Sequence, residues 1–142
     1  MFFQAFSIEE KIGAGCFGTV YKVRSKEDGE LYAVKIARER YRGLSDRKLK
    51  LEEVRKHQFL LPHSNCVRFY QSWEENGRLY QKFELCQKSL ENLSEEKHDL
   101  PEKIIWDYLV DLLLAVQHLH DHDLIHMDIK PENIFIGNFS KF

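Results

Sequence analysis

The chain has 142 residues, with 21 Lys+Arg against 23 Asp+Glu and a formal net charge of −2. That length suffices for one ordinary domain, or part of one, and is short for two. A 43% hydrophobic and 31% charged composition excludes a disordered or fibrous chain, and the balanced charge excludes a general pull onto nucleic acid or anionic lipid, so any anion site must be local.

Residues 6–23 read as strand, glycine turn, strand, with Gly13-x-Gly15-x-x-Gly18-x-Val20 at the tip. Lys26-Glu27-Asp28-Gly29 supplies the next turn, and the apolar, β-branched run 30–36 resumes as a third antiparallel strand. Over 45–57 Leu49, Leu51 and Val54 are spaced among charges behind the capping candidates Ser45 and Asp46, which predicts an exposed helix. The cluster Pro62-His63-Ser64-Asn65 ends it. Runs 66–73 and 78–85 flank Glu75-Asn76-Gly77 and predict a second hairpin. A polar stretch, 87–98, leads to Asp99 and Pro101, where a long core helix starts with Ile105, Leu109, Leu112, Val116 and Leu119 at helical spacing. Residues 124–136, broken by Pro131, read as a loop held between short strands.

Cys16, Cys66 and Cys86 are odd in number, far apart and without metal-ligand spacing, so neither a disulfide framework nor a zinc site is expected. His118, His120 and His122 alternate along a helix and are expected on different faces, which argues against a metal site. The longest apolar stretch, 109–116, is interrupted by Asp111 and falls short of the ~20 residues of a membrane span. Aromatic residues without a basic groove are expected in the core rather than on nucleic acid.

Three glycines at a tight turn let backbone N–H groups approach phosphate oxygens, although this pattern alone is a weak signal. A dinucleotide-binding reading needs a helix after the glycines, and here strands lie on both sides. With Tyr32-Ala33-Val34-Lys35 on the next-but-one strand, the arrangement resembles a protein-kinase small lobe, in which Lys35 would hold the α- and β-phosphates of ATP. Glu53, 18 residues on, stands where kinases carry the carboxylate that pairs with this lysine, with Glu52 as the neighbour it could be confused with. The strongest signal is His126-Met127-Asp128-Ile129-Lys130-Pro131-Glu132-Asn133, which resembles the kinase catalytic loop H-R-D-x-x-x-x-N. The resemblance makes Asp128 the acceptor of the substrate hydroxyl proton, Lys130 a neutraliser of charge on the moving phosphoryl group, Asn133 a Mg²⁺ ligand and His126 a brace for the loop. Met127 stands where most protein kinases have Arg, so phosphate-dependent switching through that position is not expected.

Taken together, 126–136 and 23–35 look closest to the Wee/Myt inhibitory kinases, and the second stretch with Glu84-Leu85-Cys86 favours the membrane-associated Myt branch. The resemblance implies an ATP- and Mg²⁺-dependent protein kinase with a Ser/Thr-type catalytic loop. Its implied substrate is a protein, a cyclin-dependent kinase phosphorylated on threonine and tyrosine of its glycine-rich loop so that mitotic entry is restrained. Phe83 would then be the gatekeeper behind the adenine pocket, Glu84 and Cys86 the hinge, and Ile12, Val20 and Ala33 the walls around the nucleotide. The implied fold is α+β: a small lobe and hinge over 6–86, with a five-stranded antiparallel sheet and one helix, then the start of a helical large lobe over 87–142. No nucleic-acid partner and no membrane segment within these residues are expected. The setting implied is intracellular, nucleus or cytoplasm, with endomembrane association supplied by regions outside these residues. The 142 residues contain no Asp-Phe-Gly, the second Mg²⁺ ligand of kinases. The chain alone is therefore expected to be a fragment with little activity, and the competing reading is a non-catalytic ATP-binding or interaction module.

Overall fold

The computed structural model describes residues 1–97 and 99–137, apart from the side chains of Glu53 and His57. They fall into two compact units, Met1–Leu61 with Arg68–Leu85, and Pro62–Val67 with Cys86 onward.

The first unit is built on a five-stranded antiparallel sheet in the order β1-β2-β3-β5-β4, from β1 (Phe6–Gly15), β2 (Gly18–Ser25), β3 (Leu31–Ala37), β4 (Phe69–Glu75) and β5 (Arg78–Glu84). Cys16 and Phe17 form the β1–β2 turn, closed by the pair Gly15 and Gly18. The β4–β5 turn uses Asn76 (φ 52°) and Gly77 (φ 73°). Two successive positive φ angles are what a tight two-residue hairpin demands, and Asn-Gly meets that demand at least cost. The expected five strands are therefore present, but β4 starts at Phe69 rather than Cys66. The reason is a turn in which the Cys66 N–H donates to the His63 carbonyl, which spends residues 63–66 before an extended run can begin.

Ladder partners divide the sheet into two faces. One presents Val23, Val34 and Tyr80, and helix α1 (Phe2–Ala5) closes over it with Phe2 and Phe6. Val23 and Val34 are 0% exposed and Phe2 is 1% exposed. The rings of Phe2, Phe6, Trp73 and Tyr80 pack at centroid distances of 5.3 to 6.4 Å, within the range of favourable offset and edge contacts. The opposite face carries Val20, Ala33, Lys35, Gln81 and Phe83, as the register pairs Val20 with Lys35, Lys35 with Gln81, and Ala33 with Phe83 show. Helix α2 (Leu44–Phe59) packs against β4 on that face. Val54 is its buried apolar anchor, Arg47 grips Glu74 with two hydrogen bonds of 2.7 Å, and Gln58 reaches Ser72 at 3.5 Å.

In the second unit, β6 (Lys88–Ser89) pairs with β7 (Phe135–Ile136). Between them lie α3 (Leu90–Glu96), α4 (Glu102–His120) and a short 3-10 helix at Pro131–Asn133. Helix α3 occupies part of the polar stretch in which no helix was expected. It is nucleated by a capping box in which the Ser89 hydroxyl accepts from the Asn92 N–H and the Asn92 side chain takes the Ser89 N–H. Leu93 is its one buried apolar residue. Helix α4 is found as expected, but none of its residues is buried, and Trp106 is 57% exposed. The expectation of a core helix is thus met in length and spacing and not in burial, because nothing among the described residues covers its Ile105, Val110 and Leu113 side.

The segment 62–67 is fastened to α4 within this unit. Asn65 Nδ2 donates to the Asp111 carbonyl at 3.2 Å, and the Cys66 thiol lies 3.9 Å from that of Ala115; burial pushes that thiol above its ordinary pKa. The rings of His63 and His118 stack at 4.5 Å, and that of His122 lies 4.5 Å from His118. His118 and His122, four residues apart, thus share a side, contrary to the expectation that the three histidines diverge. Near-parallel stacking, at 18° for His63 and His118, does not aim their nitrogens at a common point, and no metal-binding cluster exists among the described residues. No disulfide joins any of the three cysteines.

Candidate active site

The glycine turn separates into residues with different duties. A Cβ placed on Gly18 would sit 2.3 Å from the Ile36 carbonyl oxygen, so the β2–β3 pairing itself excludes any side chain there. A Cβ on Gly13 would make only ordinary contacts with Val20 at 3.8 Å, and one on Gly15 would meet nothing within 4 Å. The fold thus requires Gly18, whereas Gly13 and Gly15 leave open backbone on the side an outside group could approach.

Lys35 stands on β3 between Val20 and Gln81. Its ammonium lies 5.7 Å from the centroid of the Phe17 ring, an aromatic at the loop tip that the sequence reading passed over. Lys35 makes no ion pair among the described residues. The side chain of Glu53, its expected partner, lies outside the described residues, though its backbone is within α2. Glu52 is turned to another cation, with Lys48 at 3.9 Å. Ala33 is buried beneath the same face, and Phe83 packs edge-on against Phe69 at 5.5 Å. Glu84 is held twice by Arg68: its N–H donates to the Arg68 carbonyl at 2.9 Å, and its Oε1 accepts the Arg68 N–H at 2.5 Å. Any hinge role of Glu84 therefore falls to its carbonyl. Cys86 is half-buried at the start of the second unit, and Ile12 is 45% exposed on β1.

In the second unit the sequence from His126 to Asn133 folds onto Asp128. The Asp128 N–H donates to His126 Nδ1 at 3.2 Å, which turns the chain sharply at Met127 and leaves that side chain 91% exposed. Asn133 Nδ2 donates both to the Asp128 carbonyl at 2.9 Å and to its Oδ2 at 2.8 Å. The Lys130 ammonium lies 3.3 Å from the same Oδ2. Asn133 is delivered to this position by the 3-10 turn, in which its N–H donates to the Lys130 carbonyl at 2.9 Å. The turn is in turn tied to β6 and α3, because the Leu90 N–H donates to the Ile134 carbonyl at 2.8 Å. One carboxylate oxygen, Oδ2, is thus engaged by both an amide and a cation, whereas Oδ1 has no hydrogen bond or ion pair among the described residues.

The first unit thus sets a glycine-turned β1–β2 hairpin beside the strand β3 that carries Lys35, and the second unit holds a turn in which Asn133 clasps Asp128. A family model for the protein kinase domain matches residues 6–141, and the chain belongs to the protein kinase family. Among its relatives is the membrane-associated tyrosine- and threonine-specific cdc2-inhibitory kinase wee-1.3 of Caenorhabditis elegans, 52% identical over 95% of this chain and 20% of that protein. The membrane-associated tyrosine- and threonine-specific cdc2-inhibitory kinase of Drosophila melanogaster is 46% identical over 96% of this chain and 26% of its own length. The Wee1-like protein kinase 2 of Sus scrofa is 38% identical over 89% of this chain and 23% of its length. The chain therefore spans about a fifth to a quarter of the length of these relatives, and the resemblance to Wee/Myt kinases read from the motifs is matched by them.

Proposed function

We propose that this chain forms the ATP-binding and catalytic-loop portion of a kinase that phosphorylates threonine and tyrosine hydroxyls of a cyclin-dependent kinase. The observation that carries the reading is the grip of Asn133 and Lys130 on one oxygen of Asp128. A fixed carboxylate with its second oxygen open suits a general base, which must meet the substrate hydroxyl at hydrogen-bond distance. Asp128 takes the proton as the substrate oxygen forms its bond to the γ-phosphorus and the bond to the β-phosphate bridging oxygen breaks, releasing ADP. Lys130 offsets negative charge on the moving phosphoryl group, and Lys35 holds the α- and β-phosphates. The open backbone at Gly13 and Gly15 suits close approach of phosphate oxygens. Val20 and Ala33 wall the adenine, with Ile12 at its rim, Phe83 behind it, and the hinge groups of Glu84 and Cys86 at its edge.

The donor set fits a hard divalent cation. The Asn133 amide spends its nitrogen on Asp128 and keeps its oxygen, the ligand atom Mg²⁺ prefers. Bound there, Mg²⁺ would supply charge neutralisation for the phosphates. Glu53 is proposed as the partner that orients Lys35. The relatives named as membrane-associated, cdc2-inhibitory kinases support a cyclin-dependent kinase as substrate and an intracellular, endomembrane-linked setting. Among the described residues no helix is long and apolar enough to cross a membrane.

For the isolated 142 residues, the absence of an Asp-Phe-Gly and the lack of buried residues on α4 favour nucleotide binding without turnover. The test is to incubate the full-length protein and the isolated chain with γ-labelled MgATP and an inactive cyclin-dependent kinase bound to its cyclin. Label on threonine or tyrosine of the substrate's glycine-rich loop, from the full-length protein only, is the expected result. No label from either protein would overturn the reading.

A further inference from the structure

The sheet face opposite Lys35 holds a cavity of about 340 Å³ whose lining includes Phe6, Ser25, Lys26, Glu27, Gln71 and Lys82. It lies beneath the end of α1 and beside the β2–β3 turn, and nothing in the kinase reading uses it. Lys82 is the unusual member. It projects from β5 next to the fully buried Val34, and its ammonium lies 3.4 Å from the centre of the Tyr32 ring, 5.5 Å from Phe6 and 5.6 Å from Tyr70. Three ring faces stabilise a cation and replace part of its hydration, but they do not neutralise it.

The groups facing this lysine give it no contact ion pair. No carboxylate lies within ion-pair distance of Lys82 among the described residues. Asp28, the acid whose field it feels from beyond ion-pair distance, directs its oxygens to the Glu30 N–H at 2.9 Å and the Tyr32 hydroxyl at 2.8 Å. That hydrogen bond, with burial, pushes the Tyr32 phenol up to about 12, so the ring beneath the ammonium stays neutral. The second cation of the lining, Lys26, donates to the Phe3 carbonyl at 2.8 Å rather than to an acid. Two lysines against Glu27 leave the lining with one net positive charge, beside an apolar wall formed by Ala5 and Phe6. The volume lies at the lower end of small-ligand sites.

We propose that this cavity binds a single carboxylate carried on a short apolar stem, with Lys82 as its ion-pair partner and Phe6 against the stem. One net positive charge matches a monoanion, and an ammonium already ordered by three rings loses little side-chain freedom on pairing. The carboxylate belongs either to a free small acid or to an acidic side chain of a bound segment.

The test follows the Lys82 Cε resonance and the Ser25 and Gln71 amides by NMR in the full-length protein labelled with ¹³C-lysine and ¹⁵N. The titrants are butyrate, the peptide acetyl-Ala-Glu-Ala-amide, inorganic phosphate, and sodium chloride at matched ionic strength. Saturable shifts with butyrate assign a free acid, and saturable shifts with the peptide alone assign an acidic segment; either supports the site. In Lys82→Met, which keeps the apolar stem over Val34, binding should weaken at least tenfold. Glu27→Gln, away from the rings, should tighten it severalfold and serves as the test should Lys82→Met fail to fold. Shifts that are linear and equal to those with chloride, that persist in Lys82→Met, or that saturate with phosphate more tightly than with either carboxylate would overturn the proposal.

Discussion

Substituting Gly15 and Gly18 separately by alanine distinguishes a glycine the fold needs from one a ligand needs. At Gly18 the new Cβ would lie 2.3 Å from the Ile36 carbonyl oxygen, closer than real Cβ atoms come to backbone. Relief requires β2 to move by roughly 1 Å from β3 at the pair of Gly18 with Ala37. Local strain of about 1–3 kcal/mol and one weakened ladder hydrogen bond worth about 1 kcal/mol give a loss of roughly 2–4 kcal/mol. At Gly15 the Cβ meets nothing within 4 Å, so stability should change by less than about 0.5 kcal/mol. The methyl would nevertheless occupy the open side of the turn, and MgATP affinity should fall at least tenfold, about 1.4 kcal/mol. Urea unfolding and calorimetric MgATP titration of the full-length protein separate the two outcomes. Wild-type affinity in Gly15→Ala, or an unchanged unfolding midpoint in Gly18→Ala, would refute the division of labour.

Phe2 is 1% exposed among Phe6, Trp73 and Tyr80, so Phe2→Ala should destabilise by about 3–5 kcal/mol in urea unfolding; a loss under 1 kcal/mol would show that α1 is dispensable. Because Tyr32 holds its proton more tightly folded than unfolded, its contribution to stability is complete below pH 10 and is lost as pH rises from 10 to about 12. Absorbance at 295 nm should show one phenol titrating near the upper value, absent in Tyr32→Phe, and a titration with every phenol near 10 would contradict the Asp28 bond. Asn133→Ala removes two hydrogen bonds to Asp128 at an exposed site; kcat in the full-length protein should fall roughly 10²-fold or more while the unfolding midpoint moves by less than about 1 kcal/mol.

Features specified by neighbours in sequence were legible. Asn76-Gly77 announces its hairpin because few residue pairs accept two positive φ angles, and His126 to Asn133 announces its turn because its members bond to one another within seven residues. Features that depend on distant chain were not. Phe2 becomes a core residue only once β4 and β5 present Trp73 and Tyr80. Helix α3, with a single buried leucine, has almost no apolar period, and its signal was the Ser89 and Asn92 spacing of a capping box. The pairing of His118 with His63 joins positions 55 residues apart, and the rings around Lys82 come from β1, β3 and β4. Of the proposed site, the glycines, Lys35, Asp128, Lys130 and Asn133 were readable as motifs. The distinction between Gly15 and Gly18 was not, because it depends on where the Ile36 carbonyl falls across the sheet.

The most direct measurement is single-turnover phosphoryl transfer by the full-length protein and its Asp128→Asn variant at saturating MgATP, with nucleotide affinity measured alongside. If Asp128 is the base, the near-isosteric amide leaves MgATP affinity within about twofold of wild type and slows transfer by roughly 10²–10⁴-fold. Transfer by Asp128→Asn within tenfold of the wild-type rate would contradict the role assigned to the carboxylate that Asn133 and Lys130 hold in place.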